Sequence, residues 1–351
     1  PKTTTPANTS LFHSWDTMIL PRGEGLASDV GCALQPVWEI ISLYEMPAIK
    51  DAEGKPIRFN SVDELWDTDE MEARCRANFF FPGMTESVSG VSLDIRGGVY
   101  KEYPGLASDG ESEIPGSIND YTDTYRVRAA SPGETQVING QSVQVSGKHG
   151  LAEGTGDEGY TRTGAFIRKY VNYNADASSR VLHGSSQSWK VFRYGEILLN
   201  WAEAAYELGL IKNDNNLKRE AFDHINEIRD RAGAHRHDMV ESPQDIGSGI
   251  YGFPIDENLQ YIRDERAREL CYENHRIFDL RRWRVADIMF QNGMYTHTLL
   301  PYYVMDENKW IFLNEVEREG RKVTFEKRWY YEQIPSGEIG KNPNLIRNDG
   351  Y

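Results

Sequence analysis

The stretch RYGEILLNWAEAAYELGLIKNDNNLKREAFDHINEIRDRAG, residues Arg193–Gly233, decides the fold class. Tyr194, Ile197, Leu198, Trp201, Ala202 and Ala205 recur at the three- and four-residue spacing that lines one face of a helix. Gly209 stands where such a helix would end. Ala221, Phe222, Ile225, Ile228 and Ala232 repeat the pattern, and Gly233 closes it. Asn213-Asp214-Asn215-Asn216 turns the chain between the two. Two amphipathic helices on a short linker form a hairpin close to the about 34 residues of a tetratricopeptide unit, although that repeat's signature is matched only loosely. Tyr194, Trp201 and Phe222 are expected in the core. A third helix is expected from Glu257 to Trp283, so residues 189–290 read as a helical repeat core.

Outward from this core the texture changes. Residues 1–84 mix short apolar segments with turns, and Gln35–Met46 carries Val37, Ile40, Ile41 and Tyr44 at helical spacing. Residues 85–165 are rich in Gly, Ser, Asp and Tyr. Gly97-Gly98, Pro104-Gly105, Asp109-Gly110, Pro132-Gly133 and Asn139-Gly140 are turn signals, and alternation over Gln141–Val145 suits a short β-hairpin. A loop-rich insertion of this length inside a compact protein is usually functional or disordered.

Composition removes several function classes. The 351 residues are 39% hydrophobic and 26% charged, which describes a globular chain. A net charge of −15, with no basic block, excludes nucleic acid and argues against adsorption on anionic lipid. No apolar run is long enough to span a membrane. Cys32, Cys75 and Cys271 form no CxxC pair and their number is odd, so neither a disulfide scaffold nor a zinc module is indicated; isolated buried thiols are preferred over a Cys32–Cys75 bridge.

Few constellations could carry chemistry. Glu265–Trp283 alternates acids and arginines at helical spacing: Glu265 reaches Arg268, Glu273 reaches Arg276, and His275 reaches Asp279. His275–Asp279 could be an acid/base dyad, but no nucleophile is marked and the acids have arginines within reach. The lattice is therefore expected to lock helices together. Gly154-Thr155-Gly156-Asp157-Glu158-Gly159 matches GxGxxG literally but lacks the preceding buried strand and the following helix of a dinucleotide site. His224, His235, His237 and Asp238 match no metal spacing, and Asn172, Asn174 and Asp176 lack the glycine and closing glutamate of a calcium loop. No metal or cofactor is expected. Asp157 with Glu158, or Asp63 with Glu64, would be the carboxylates of a glycosidase, but adjacent residues point apart on a helix or a strand.

Aromatic residues are the remaining signal. Tyr100, Tyr103, Tyr121, Tyr125 and Tyr160 fall in the Gly/Asp-rich region, outside the helical stripes, beside Asp94, Arg96, Asp120 and Asp123. Flat rings cover the C–H face of a sugar while carboxylates and guanidinium groups bond its hydroxyls. The alternative is that these tyrosines anchor a long loop, and composition leaves both open. Trp15, in an irregular segment, is a weaker candidate.

Three segments together resemble the SusD/RagB family: Phe192–Gly233, Glu265–Trp283, and the ending Ile334-Pro335 … Asn342-Pro343-Asn344-Leu345 … Asn348-Asp349-Gly350-Tyr351. Gln35–Met46 also fits. Asn274 stands where the family commonly has glycine. The resemblance implies a surface lipoprotein of the outer membrane, anchored through an N-terminal lipidated cysteine outside this chain. Such a protein sits on a SusC-like TonB-dependent transporter and captures glycans, or in some members peptides. It also implies that residues 1–351 are one SusD-like domain, the C-terminal and larger part of a family chain, without the family's N-terminal repeats. The expectation is a mostly α-helical domain of tetratricopeptide-like hairpins with residues 85–165 as a variable insertion. It binds an oligosaccharide through Tyr100, Tyr103, Tyr121, Tyr125, Trp15, Asp94, Arg96 and Asp120, and is not an enzyme. The rivals are a peptide-binding member, a glycosidase, and a scaffold that binds only protein.

Overall fold

The computed structural model describes residues 12–351 apart from 105–124, 128, 151, 153–158, 250–251, 291–292 and 318–320. Short elements open the chain: α1 (Trp15–Ile19), α2 (Trp38–Ile41), α3 (Ala73–Asn78), β1 (Phe79–Phe80), β2 (Gly98–Tyr100), β3 (Arg126–Val127), the β4 (Thr135–Ile138) and β5 (Gln141–Gln144) hairpin, and β6 (Phe166–Ile167). The helical part follows as α4 (Tyr194–Lys212), α5 (Asn215–Ala232), α6 (Glu257–Glu269), α7 (Arg276–Arg282) and α8 (Ala286–Met289). The chain then returns to strand in β7 (Met294–Tyr295), β8 (His297–Val304), β9 (Lys309–Val316) and β10 (Lys322–Val323), and ends on α9 (Ser336–Lys341).

The α4–α5 hairpin forms as its spacing requires. The Asp214 carboxylate accepts from the Asn216 amide at 2.9 Å to start α5, and Gly233 ends it at φ +66°. Gly209 lies inside the last turn of α4 rather than past it. A Cβ there would come within 2.7 Å of the Lys218 side chain and 2.9 Å of the Asp214 carbonyl, so the glycine lets the two helices close up. Leu198, Leu199, Ala202, Tyr206, Phe222, Ile225, Leu259 and Ile262 form the core between α4, α5 and α6. Tyr194 and Trp201 do not belong to it: they are 62% and 51% exposed, in line with Ile197, Leu208 and Ile211 on the far side of α4. A helix that is apolar all round offers no unique buried face, and the choice is made by the helices packed against it.

The expected single helix over Glu257–Trp283 is two. Tyr272 and Asn274 adopt φ +57° and +66°, which breaks the ladder between α6 and α7. This explains the residue at 274, because asparagine tolerates the left-handed region nearly as well as glycine. Asn274→Gly should leave thermal melting unchanged or raise it slightly. Asn274→Val should destabilise by about 1–2 kcal/mol, since a branched side chain is strained there. Equal melting of the two variants would refute this.

Helical spacing over Gln35–Met46 yields only the single turn α2. Beyond it Tyr44 donates from its hydroxyl to the Arg268 carbonyl at 2.8 Å and Glu45 receives Arg229, so tertiary partners outcompete the helix. The β4–β5 hairpin turns at Asn139-Gly140, both at positive φ, as the sequence signals. The β8–β9 hairpin was not anticipated. It is the centre of a four-stranded sheet of order β3-β2-β8-β9, in which β2 runs parallel to β8 and the other pairs are antiparallel. Cys32, Cys75 and Cys271 are free and buried; burial pushes all three thiols up, Cys271 to about 11.

The acid–arginine lattice crosses elements more than it follows them. Glu265, wholly buried, accepts from Arg74 of α3 at 2.7 Å, Arg229 of α5 at 2.8 Å and Arg268 at 2.9 Å. Glu269, four residues on, takes Arg74 at 2.9 Å, Arg231 at 2.7 Å and Arg193. Glu273 pairs with Arg193 and Lys169, not with Arg276. One row of carboxylates on α6 thus ties three segments to it.

Candidate functional site

Cross-strand register assembles the most suggestive surface. Val127, Val99, Tyr303 and Trp310 are successive partners across β3, β2, β8 and β9, so their side chains share one face of the sheet. Ala129, Ile138 and Val145 cover the inner part of that face. Tyr303 and Trp310 remain half-exposed, with ring centroids 5.3 Å apart and planes at 52°. The Arg96 guanidinium lies 5.3 Å from the Trp310 ring centroid. Its Nε donates to Asp94 Oδ1 at 3.0 Å, and its Nη1 to the Gln144 carbonyl at 3.4 Å. Asp94 Oδ2 accepts from the Gln144 side-chain amide and from the Lys148 amide. The Tyr303 hydroxyl donates to Asn308 Oδ1 at 2.6 Å in the β8–β9 turn. Two contiguous rings with a guanidinium, a carboxylate and two amides at their edge can stack on an apolar ring face and bond its polar rim.

Of the residues expected from sequence, Asp94 and Arg96 lie in this cluster. Tyr100 does not. It is on the opposite face of the sheet, fully buried against Tyr302 and Tyr103 at 5.4 and 5.1 Å, and burial raises its phenol well above the usual range. The expectation that Tyr100 contacts a sugar is corrected: Tyr100, Leu300, Tyr302, Val304, Ile311 and Leu313 are one core cluster. Tyr103 is half-buried beside that cluster, with Arg58 5.4 Å from its centroid. Tyr125 is 41% exposed at the start of β3. Trp15 donates from its indole to the Lys169 carbonyl at 2.9 Å and meets Trp189 and Tyr272 edge-on, which makes it an anchor of another cluster. Asp120 and Tyr121 lie outside the described residues, as do 154–158 of the GxGxxG match with Asp157 and Glu158.

Sequence reading missed Tyr303 and Trp310. Their signal was present: two apolar runs, HTLLPYYV and KWIFLNEV, flank the polar turn Asp306-Glu307-Asn308.

The alternatives for chemistry fall apart in space. Asp279 is taken by Arg266 and Arg282 at 2.7 and 2.8 Å, while His275 faces Glu196 at 3.6 Å. His237 stacks on Tyr261 at 3.5 Å between centroids and His235 meets Glu45 at 3.0 Å, so both brace the scaffold. Among the described residues no group of three metal-ligating side chains converges, and no helix is long and apolar enough to cross a membrane.

Comparison with known proteins agrees with this architecture. The profile of the SusD family matches residues 2–351. SusD-like protein P2 of Formosa agariphila is 29% identical over 187 residues, 53% of this chain and 30% of that protein. SusD-like protein P25 of the same organism is 31% identical over 144 residues, 40% of this chain and 24% of that protein. A solved SusD-like protein of Bacteroides fragilis superposes with a TM-score of 0.54 at 21% identity, covering 100% of this chain and 53% of that one. The chain therefore spans about half the length of that solved relative and a smaller share of the two curated ones. With a family match over nearly every residue and the same fold, the chain belongs to the SusD family.

Proposed function

We propose that the protein is a non-catalytic binding protein that takes an oligosaccharide on the Tyr303–Trp310 platform. Arg96, Asp94 and Asn308 bond the sugar's hydroxyls. The half-exposed ring pair with Arg96 stacked on it carries this reading. Tyr100 and Tyr302 on the other face are wholly buried, whereas Tyr303 and Trp310, each packed on the core by one side, keep part of their surface exposed. Family membership supports the wider role: capture of nutrient at the outer-membrane surface by a lipid-anchored protein that delivers it to a SusC-like TonB-dependent transporter. A basic peptide is the second reading, favoured by the net charge of −15.

A glycan array on the protein, set beside a peptide library, decides between the two. Incubation with a bound oligosaccharide should leave it intact by chromatography, because Asp94 is held by Arg96 and, among the described residues of the cluster, no second carboxylate is placed to work with it across a glycosidic bond. Turnover abolished by changing a single carboxylate would reverse the classification.

A further inference from the structure

The segment Gly147-Lys148-His149-Gly150 packs backbone to backbone on residues 94–96. A Cβ at Gly147 would come within 2.1 Å of the Asp94 carbonyl, and one at Gly150 within 2.8 Å of the Arg96 carbonyl, so both positions require glycine. Between them His149 is 2% exposed. Its amide donates to the Asp94 carbonyl at 2.9 Å, and its Nδ1 accepts from the Asp94 amide at 3.1 Å. The clasp is reciprocal, and it fixes the ring's tautomer. An acceptor Nδ1 carries no hydrogen, so the hydrogen sits on Nε2, which lies 3.3 Å from Glu24 Oε2.

We propose that His149 is a positioning residue for the ligand site and makes it acid-sensitive: protonating Nδ1 sets one N–H against another, opens the clasp on Asp94, and releases Arg96 from Trp310. This rests on the oligosaccharide site proposed above. Asp94 is the link, because its carboxylate holds Arg96 Nε while its backbone is held by His149. Among the described residues, the charged groups facing the imidazole are Glu24, Asp94 and Lys148. Burial, the largest influence, lowers the imidazole below its ordinary 6.5 against the upward pull of Glu24 and Asp94. The neutral ring, and with it the clasp, is therefore present above the ordinary histidine range and is lost as pH falls below it.

The test is calorimetric titration with an array-selected oligosaccharide from about pH 7.5 down to about pH 4.5, the span in which a histidine lowered by burial changes charge. His149→Phe keeps the shape and removes the acceptor; ordering the released Asp94 and Arg96 again on binding should weaken it roughly tenfold throughout. His149→Asn places Oδ1 where Nδ1 stood and cannot be protonated, so it should bind like the parent at neutral pH and keep its affinity in acid. Parent-like binding by His149→Phe, or an acid loss in His149→Asn equal to the parent's, overturns the proposal. The Asp94 amide resonance of the free protein separates the two layers. If it follows the His149 titration while Trp310→Ala and Tyr303→Ala bind normally, the clasp stands and the site assignment fails. If it does not move, the clasp itself is wrong.

Discussion

Glu265→Ala is expected to lower thermal melting by on the order of 5 °C, because it removes a buried carboxylate that three arginines share. Arg74, Arg229 and Arg268 all donate to this one buried carboxylate. Breaking a buried pair by removing one partner costs about 3–5 kcal/mol, a large part of the about 5–15 kcal/mol that holds a domain together. Burial alone would raise the Glu265 carboxyl, but Arg268, Arg74 and Arg229 outweigh it and hold it at about 2. A depressed carboxylate stabilises fully above its ordinary 4.5, and that contribution is lost as pH falls from there toward 2. Melting of the parent should thus decline over this interval, and part of the decline should vanish in Glu265→Gln, which starts lower. Arg219→Ala is the control: its pair with Glu241 is more than half exposed at both ends, and an exposed pair contributes at most about 1 kcal/mol. Differential scanning calorimetry checks both, and melting of Glu265→Ala within experimental error of the parent would show that the lattice is not what joins α3, α5 and α6.

Trp310→Ala should weaken oligosaccharide binding roughly five- to hundredfold. A platform ring covered by ligand contributes about 1–3 kcal/mol, the range for burying one large apolar side chain, and each 1.4 kcal/mol is about tenfold in affinity. The indole also packs against the core cluster of Phe59, Trp66 and Phe312, so melting should fall as well. Tyr303→Ala and Arg96→Ala separate the two effects. Tyr303 stands by the β8–β9 turn and Arg96 is bound mainly through Asp94, so each should lose several-fold in affinity at smaller structural cost. Titration of all three against the array-selected ligand is decisive. Parent-like affinity throughout would move the site to Tyr103 and Tyr125 or to the undescribed residues 105–124.

The hairpin α4–α5 was legible because spacing, an aspartate cap and a closing glycine agree. Which side of α4 faces inward was not, since Leu198 and Trp201 are equally apolar and only the packing of α5 and α6 separates them. The break at Tyr272 and Asn274 was hidden for a related reason: the charges on either side keep helical spacing, while the left-handed backbone is a property of the fold. Strand β8 is buried along most of its length and β9 through its run Ile311–Leu313, so they lack the alternation that separates a strand from a buried helix. Half of the candidate site was lost with them. Asp94 and Arg96 could be read as polar neighbours of aromatic residues, but the ring they serve comes from β9, brought alongside only by the parallel β2–β8 pairing that spans the whole helical region.

The three cysteines bear on how the protein can be observed. A thiol reacts as its thiolate, and Cys32, Cys75 and Cys271 are both sheltered from solvent and held protonated at neutral pH. A cysteine introduced at an exposed position such as Asp306, in the β8–β9 turn, would thus be modified ahead of the native three, with no need to replace them first. A fluorophore placed there, near the Tyr303–Trp310 surface, would report ligand arrival with all three native cysteines in place.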